Sequence, residues 1–111
     1  MFSKTIIVGN LTRDPEGQYT PSGKFVCKMG VAVNVGWGEN KHTQWWNVEA
    51  WEKKGEVCNN YLKSGSKVLV EGTIKGDKDT GKPRMWERTD GTKDCAFEIT
   101  ANEVTFLSSK E

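Results

Sequence analysis

What is scarce in this sequence narrows its class before any motif is read. No apolar run approaches the length of a membrane span: Thr5-Ile6-Ile7-Val8 and Val68-Leu69-Val70 are strand-sized. The opening residues Met1-Phe2-Ser3-Lys4 lead straight into a strand pattern, with neither the apolar stretch of a secretory signal nor an Arg-rich amphipathic leader. A cytoplasmic protein with no membrane partner is expected. Histidine is reduced to His42, and the cysteines are Cys27, Cys58 and Cys95, odd in number and widely spaced within apolar patterns. They read as reduced core thiols, and no disulfide set, metal site or cofactor is expected. Carboxylates are scattered, His42 has no nucleophile in pattern, and no Gly-rich phosphate loop joins a strand to a helix, so catalysis is not expected. Charge of one sign is also lacking. A net charge of +1 gives no bulk attraction to a polyanion.

What is present in excess is tryptophan, five in 111 residues, in a chain long enough for one domain with one core. Three prolines and twelve glycines punctuate short segments rich in Val, Ile, Thr and aromatics, a mostly β pattern. Lys4 to Leu11 is a first strand, with Ile6 and Val8 opposite Ile7, stopped by Thr12-Arg13-Asp14-Pro15. Pro21-Ser22-Gly23 makes a tight turn, with Pro presetting φ and Gly supplying the permissive position. Lys24 to Asn34 alternates, placing Phe25, Cys27, Met29, Val31 and Val33 on one face and Lys24, Lys28 and Asn34 on the other. Gly36 to Lys41 is a loop and Thr43 to Trp51 a third strand.

The period then changes. Val57, Cys58, Tyr61 and Leu62 mark one face of a short helix that Ser64-Gly65 stops. Lys67 to Lys75 is a strand with Val68, Val70 and Ile74 inward. Gly76 to Asp94 is polar and turn-rich, as in a long projecting hairpin. Cys95 to Ala101 alternates with Phe97 and Ile99 inward, and Val104 to Leu107 adds a last extended piece. Three strands, one helix and two strands predict an all-β OB-fold, a five-stranded Greek-key barrel with its helix between strands three and four.

The third strand, Thr43-Gln44-Trp45-Trp46-Asn47-Val48-Glu49-Ala50-Trp51, carries the most chemistry. Alternation buries Trp46, Val48 and Ala50, with Trp46 structural in the core or at a subunit contact. It turns Trp45, Asn47, Glu49 and Trp51 to the other face, where two large indoles are costly unless something covers them. Trp37 lies between two glycines in a loop, and Trp86 in the hairpin between Arg84 and Arg88. Indoles spaced along a groove stack nucleobases of any identity. Lys53, Lys75, Arg84 and Arg88, with Lys24 and Lys28 on the second strand, are candidates to neutralise phosphates. The blander alternative makes the indoles hydrophobic caps or subunit contacts, and individual lysines plain solvated charges.

The order of motifs resembles one family over almost the whole chain. Lys4-Thr5-Ile6-Ile7-Val8-Gly9-Asn10-Leu11 with Asp14-Pro15-Glu16 is similar to the opening of bacterial single-stranded-DNA-binding (SSB) proteins. Thr43-Gln44-Trp45 resembles their third-strand motif. Gly55-Glu56-Val57 through Tyr61-Leu62-Lys63-Ser64-Gly65-Ser66 and Val70-Glu71-Gly72 resembles their helix and fourth strand. Trp86-Glu87-Arg88 with Asp90-Gly91 resembles their late hairpin. The resemblance implies a homotetramer that binds and protects single-stranded DNA in replication, recombination and repair, at the nucleoid. It also implies base stacking on Trp37, Trp45, Trp51 and Trp86 and basic contacts at Lys53 and Lys75. Trp51 stands where the family commonly has phenylalanine, and Asn47 where it often has arginine. The segment Gly76 to Pro83 looks longer than is usual.

One domain is expected over residues 1–107, with 108–111 a short remnant lacking the family's usual acidic tail. Recruitment of replication and repair proteins is expected only if the full-length chain carries that tail. Two other readings use the same surface: a protein–protein assembly module of a primosome or related complex, and an RNA chaperone.

Overall fold

The structure is a computed structural model that describes residues 1–107, so the remnant expected over 108–111 lies outside the described residues. The chain runs β1 (Thr5–Leu11), β2 (Glu16–Tyr19), β3 (Phe25–Val35), a 3-10 turn (Gly38–Asn40), β4 (His42–Trp51), α1 (Glu52–Tyr61), β5 (Lys67–Ile74), β6 (Met85–Glu87), β7 (Lys93–Cys95) and β8 (Phe97–Phe106). One sheet has the order β1-β5-β8-β4-β3-β2, and pairing of β1 with β3 closes it into a barrel. The closing contact is short, Asn10 with Ala32 and Leu11 with Val31. β4 and β8 run parallel and the other barrel pairs antiparallel. With α1 between the third and fourth barrel strands, this is the expected OB-fold.

Period-two alternation carries the core. Ile7, Leu11, Cys27, Met29, Val31, Trp46, Val48, Ala50, Val68, Val70, Ile99 and Ala101 are all buried in one cluster. Ile6 and Val8, on the other face of β1, are exposed as expected. The turn before β3 also forms as expected: the Gly23 N–H donates to the Thr20 carbonyl, the Thr20 N–H to the Lys24 carbonyl, and Gly23 takes φ +90°.

Several expectations are corrected. β2 was not anticipated; its four residues are all exposed, and only its ladder with β3 defines it. On α1 the packed stripe is Gly55, Cys58 and the C-cap Leu62, while Val57 and Tyr61 are exposed. Gly55 marks the stripe by having no side chain. A Cβ there would stand 2.4 Å from the Ala50 carbonyl oxygen, so the helix rests directly on the backbone of β4.

Ile74 is 47% exposed, being the last residue of β5 where the strand runs out of the barrel. Phe97, also 47% exposed, packs one ring face on Trp46 instead of entering the core, with centroids 4.7 Å apart and planes at 22°. Cys95 is exposed at the end of β7 and is no core thiol, whereas Cys27 and Cys58 are buried and free. The last two extended pieces form one strand, β8, with a bulge: Glu71 faces Glu103 and Gly72 faces Ala101, leaving Asn102 unmatched. The hairpin expected over 76–94 holds the small separate sheet of β6 and β7. Among the described residues, no helix is long and apolar enough to cross a membrane.

Candidate nucleic-acid interface

The outer face of the β3–β4 ladder sets smaller residues of β3 against larger ones of β4, except at Lys28. Trp45 stands opposite Ala32, Asn47 opposite Gly30, Glu49 opposite Lys28 and Trp51 opposite Val26. Small side chains on β3 leave a trough beside the tall ones on β4. That trough is part of an open groove of about 410 Å³ lined by Arg13, Lys28, Met29, Asn47, Val48, Glu49, Lys75, Arg84 and Glu98. Its charged side chains are four cations and two carboxylates, a surplus of two positive charges in a chain whose net charge is only +1.

No tryptophan lines this groove, but Trp51 and Trp86 touch residues that do, Glu49 and Arg84. Trp45 is 63% exposed beside Trp46, which is 6% exposed and donates its Nε1–H to Gln44 Oε1 at 3.1 Å. Trp51 is half-buried and donates its Nε1–H to Glu49 Oε1 at 3.1 Å. Its cross-strand partner Val26 is 1% exposed although it lies outside the core cluster, so outer-face cover, to which Trp51 contributes, keeps it dry. Trp86 is half-buried on β6, and the Arg84 guanidinium lies 4.8 Å over its ring. Trp37 stands apart in the loop between β3 and β4 and is 84% exposed.

The expected cations fall into distinct situations. Lys75 Nζ pairs with Glu49 Oε2 at 3.1 Å, and Arg84 Nη2 with Glu98 Oε2 at 2.9 Å. Hydrogen bonding to Glu98 raises the Arg84 pKa above its ordinary value. Arg88 is held by Asp94, whose carboxyl is kept below its ordinary pKa chiefly by that hydrogen bond. Lys28 lines the groove and has no ion pair among the described residues, while Lys24 is exposed at the turn before β3 and does not line it. Lys53 is brought elsewhere, to a separate groove with Lys54, Val57, Cys58, Glu103, Val104 and Phe106.

One residue of the groove escaped the sequence reading. Arg13 follows β1 in a segment that read only as a strand stop. Its Nη1 would be 2.3 Å from a Cβ built on Gly30, so the guanidinium lies against the bare backbone of β3. It has no ion pair among the described residues. The nearest sequence signal was Gly30 itself, an outward position on β3 without a side chain.

With this geometry in place, comparison with known proteins gives a consistent result. The family model described as the single-strand binding protein family matches residues 2–107. A protein named single-stranded DNA-binding protein from Neisseria meningitidis serogroup A is 35% identical, the match covering 98% of this chain and 62% of that protein. Similar proteins of the same name come from Wolinella succinogenes, at 35% identity over 99% of this chain and 67% of the relative, and from Oceanobacillus iheyensis, at 34% over 99% and 66%. The chain thus spans about three fifths to two thirds of the length of these relatives.

Proposed function

The chain belongs to the single-strand binding protein family, and from that premise we propose that it binds and protects single-stranded DNA without sequence preference, by binding alone and not by catalysis. Bases stack on Trp37, Trp45, Trp51 and Trp86 while phosphates are drawn to the groove by Lys28 and Arg13. Lys24, Lys53, Lys75, Arg84 and Arg88 extend the basic contacts along the strand's path. The setting is DNA replication, recombination and repair, in the cytoplasm at the nucleoid.

The observation that carries this reading is the exposed indole of Trp45 near a trough in which two cations, Arg13 and Lys28, have no ion pair among the described residues. A soluble domain gains nothing by holding a large apolar surface in water next to positive charge unless a ligand with flat faces and negative charge covers both. Titration of the intrinsic fluorescence with oligo(dT) tests it. Strong quenching, weakened by salt and not reproduced by duplex of the same length, is the expected result. Equal affinity for duplex and single strand at moderate salt would sink the reading, and competition with oligo(rU) sets DNA against RNA.

We further propose a homotetramer. Ile6 is 57% and Val8 40% exposed on β1, and the ladder of β1 with β3 is short, pairing Asn10 and Leu11 alone. Apolar side chains beside a largely unpaired strand edge favour a second copy as cover. Sedimentation showing only monomer at micromolar concentration would remove this proposal.

A further inference from the structure

The groove's two carboxylates are arranged to occupy its cations. Glu49 is held at both oxygens: Oε1 accepts from Trp51 Nε1 at 3.1 Å and Thr100 Oγ1 at 3.3 Å, and Oε2 pairs with Lys75 Nζ at 3.1 Å. Glu98 holds Arg84 at 2.9 Å, with the guanidinium also spread over the Trp86 ring. Both carboxylates are only slightly exposed, 17% and 14%, while Lys75 and Arg84 are 43% and 52% exposed. The anions are thus the anchored partners, and the cations are the ones a ligand meets.

A phosphate arriving at Lys75 or Arg84 therefore exchanges one anion for another, beside a carboxylate that stays in the groove: Glu49 is also held by Trp51 and Thr100, and Glu98 is largely covered. The gain from counterion release is small there and is full only at unpaired Arg13 and Lys28. Stacking on Trp45 or Trp37 involves neither carboxylate. We infer that Glu49 and Glu98 are specificity-determining residues of the proposed single-strand site: they keep Lys75 and Arg84 in internal pairs, so a ligand offering phosphates alone gains little and one offering unpaired base faces is selected. This is discrimination by withheld attraction. Duplex DNA, with the higher charge density and its base faces hidden, is the ligand most disfavoured. The inference rests on the single-strand reading above.

The test is Glu49→Gln, Glu98→Gln and the double variant, with Glu56→Gln on the exposed side of α1 making the same charge change away from the groove. Glutamine keeps an acceptor for Trp51 and Thr100. Each groove variant should bind oligo(dT) about two- to fivefold more tightly, the scale of an exposed ion pair. Duplex affinity should rise by a larger factor, so the ratio of single-strand to duplex affinity falls, with a steeper salt dependence and an unchanged melting temperature. Glu56→Gln should leave that ratio unaltered. If Glu49→Gln lowers the melting temperature, Glu98→Gln alone decides. Wild-type binding to oligo(dT) with no loss of selectivity in the variants, or an equal loss in Glu56→Gln, overturns this inference alone. Failure of the wild-type protein to bind oligo(dT) at low salt overturns the single-strand reading and this inference with it.

Discussion

Trp45 and Trp46 are adjacent on β4, and the pleat leaves the first 63% exposed on the outer face and the second 6% exposed against Phe97. Identical chemistry is thus divided by register alone. Trp45→Ala should weaken oligo(dT) binding by about 1–3 kcal/mol with little change in melting temperature, a range seen in single-strand binders of this very kind and adopted as such. Trp46→Ala should cost about 3–5 kcal/mol of stability. Parallel measurement of thermal unfolding and fluorescence-detected binding separates them. An unfolded Trp45→Ala with a stable, non-binding Trp46→Ala would invert the assignment.

Trp51 joins both roles. Its half-buried ring helps cover Val26 across the ladder, and its Nε1–H is fixed on Glu49. Trp51→Ala should therefore lose binding and stability together, by about 1–3 kcal/mol each. Trp51→Phe keeps a flat ring at the same place and should recover most of both. A Trp51→Ala variant that binds normally would reduce this residue to packing.

The cysteines divide by burial. Burial pushes the Cys27 thiol up to about 11 and the Cys58 thiol, with Cys27 beside it, up to about 12, from an ordinary value of 9.0. A disulfide reagent at pH 8 should titrate one fast thiol, Cys95, and reach the other two only on unfolding. The linkage has a sign. The folded state keeps these protons where the unfolded chain loses them, so the contribution is fully present below pH 9 and is lost as pH climbs toward 11–12. Denaturant midpoints should fall across that window. Three equally fast thiols in the native protein would contradict the packing of α1 on β3 and β4.

How much of this was legible beforehand follows from the range of each interaction. Alternation within one strand is local, so the inward set of Trp46, Val48 and Ala50 and the outward Trp45 and Trp51 could be read from spacing. The helix stripe was misread because its key member, Gly55, has no apolar side chain to count. β2 was missed because Glu16 to Tyr19 are all exposed, so no alternation of burial marks them, and the strand is defined by its long-range ladder with β3. Phe97 satisfied the alternation but found a ring of Trp46 at the barrel rim instead of the interior. The groove's charge pattern was invisible in principle. Lys75 and Glu49 are 26 positions apart, and Arg13 reaches Gly30 only once the barrel closes.

That charge pattern yields the sharpest contrast among single substitutions. Arg13 and Lys28 line the groove without ion pairs among the described residues, whereas Lys75 and Arg84 line it already paired. A free cation that meets a phosphate releases a counterion, and each such contact on a single strand steepens the salt dependence by about 0.7 units of log K per log unit of salt. Arg13→Ala and Lys28→Ala should each remove close to that amount, with affinity falling most at low salt. Lys75→Ala and Arg84→Ala should remove distinctly less, because each cation is already neutralised by its own carboxylate and gains little counterion release from a phosphate. Arg84→Ala has a second consequence, since it uncovers the Trp86 ring, and fluorescence quenching by oligo(dT) should then gain a larger share from Trp86. Salt titrations of the four variants between low and moderate ionic strength decide the matter. Equal slopes for all four would mean that the internal pairs dissolve on binding and that Glu49 and Glu98 hold no cation back.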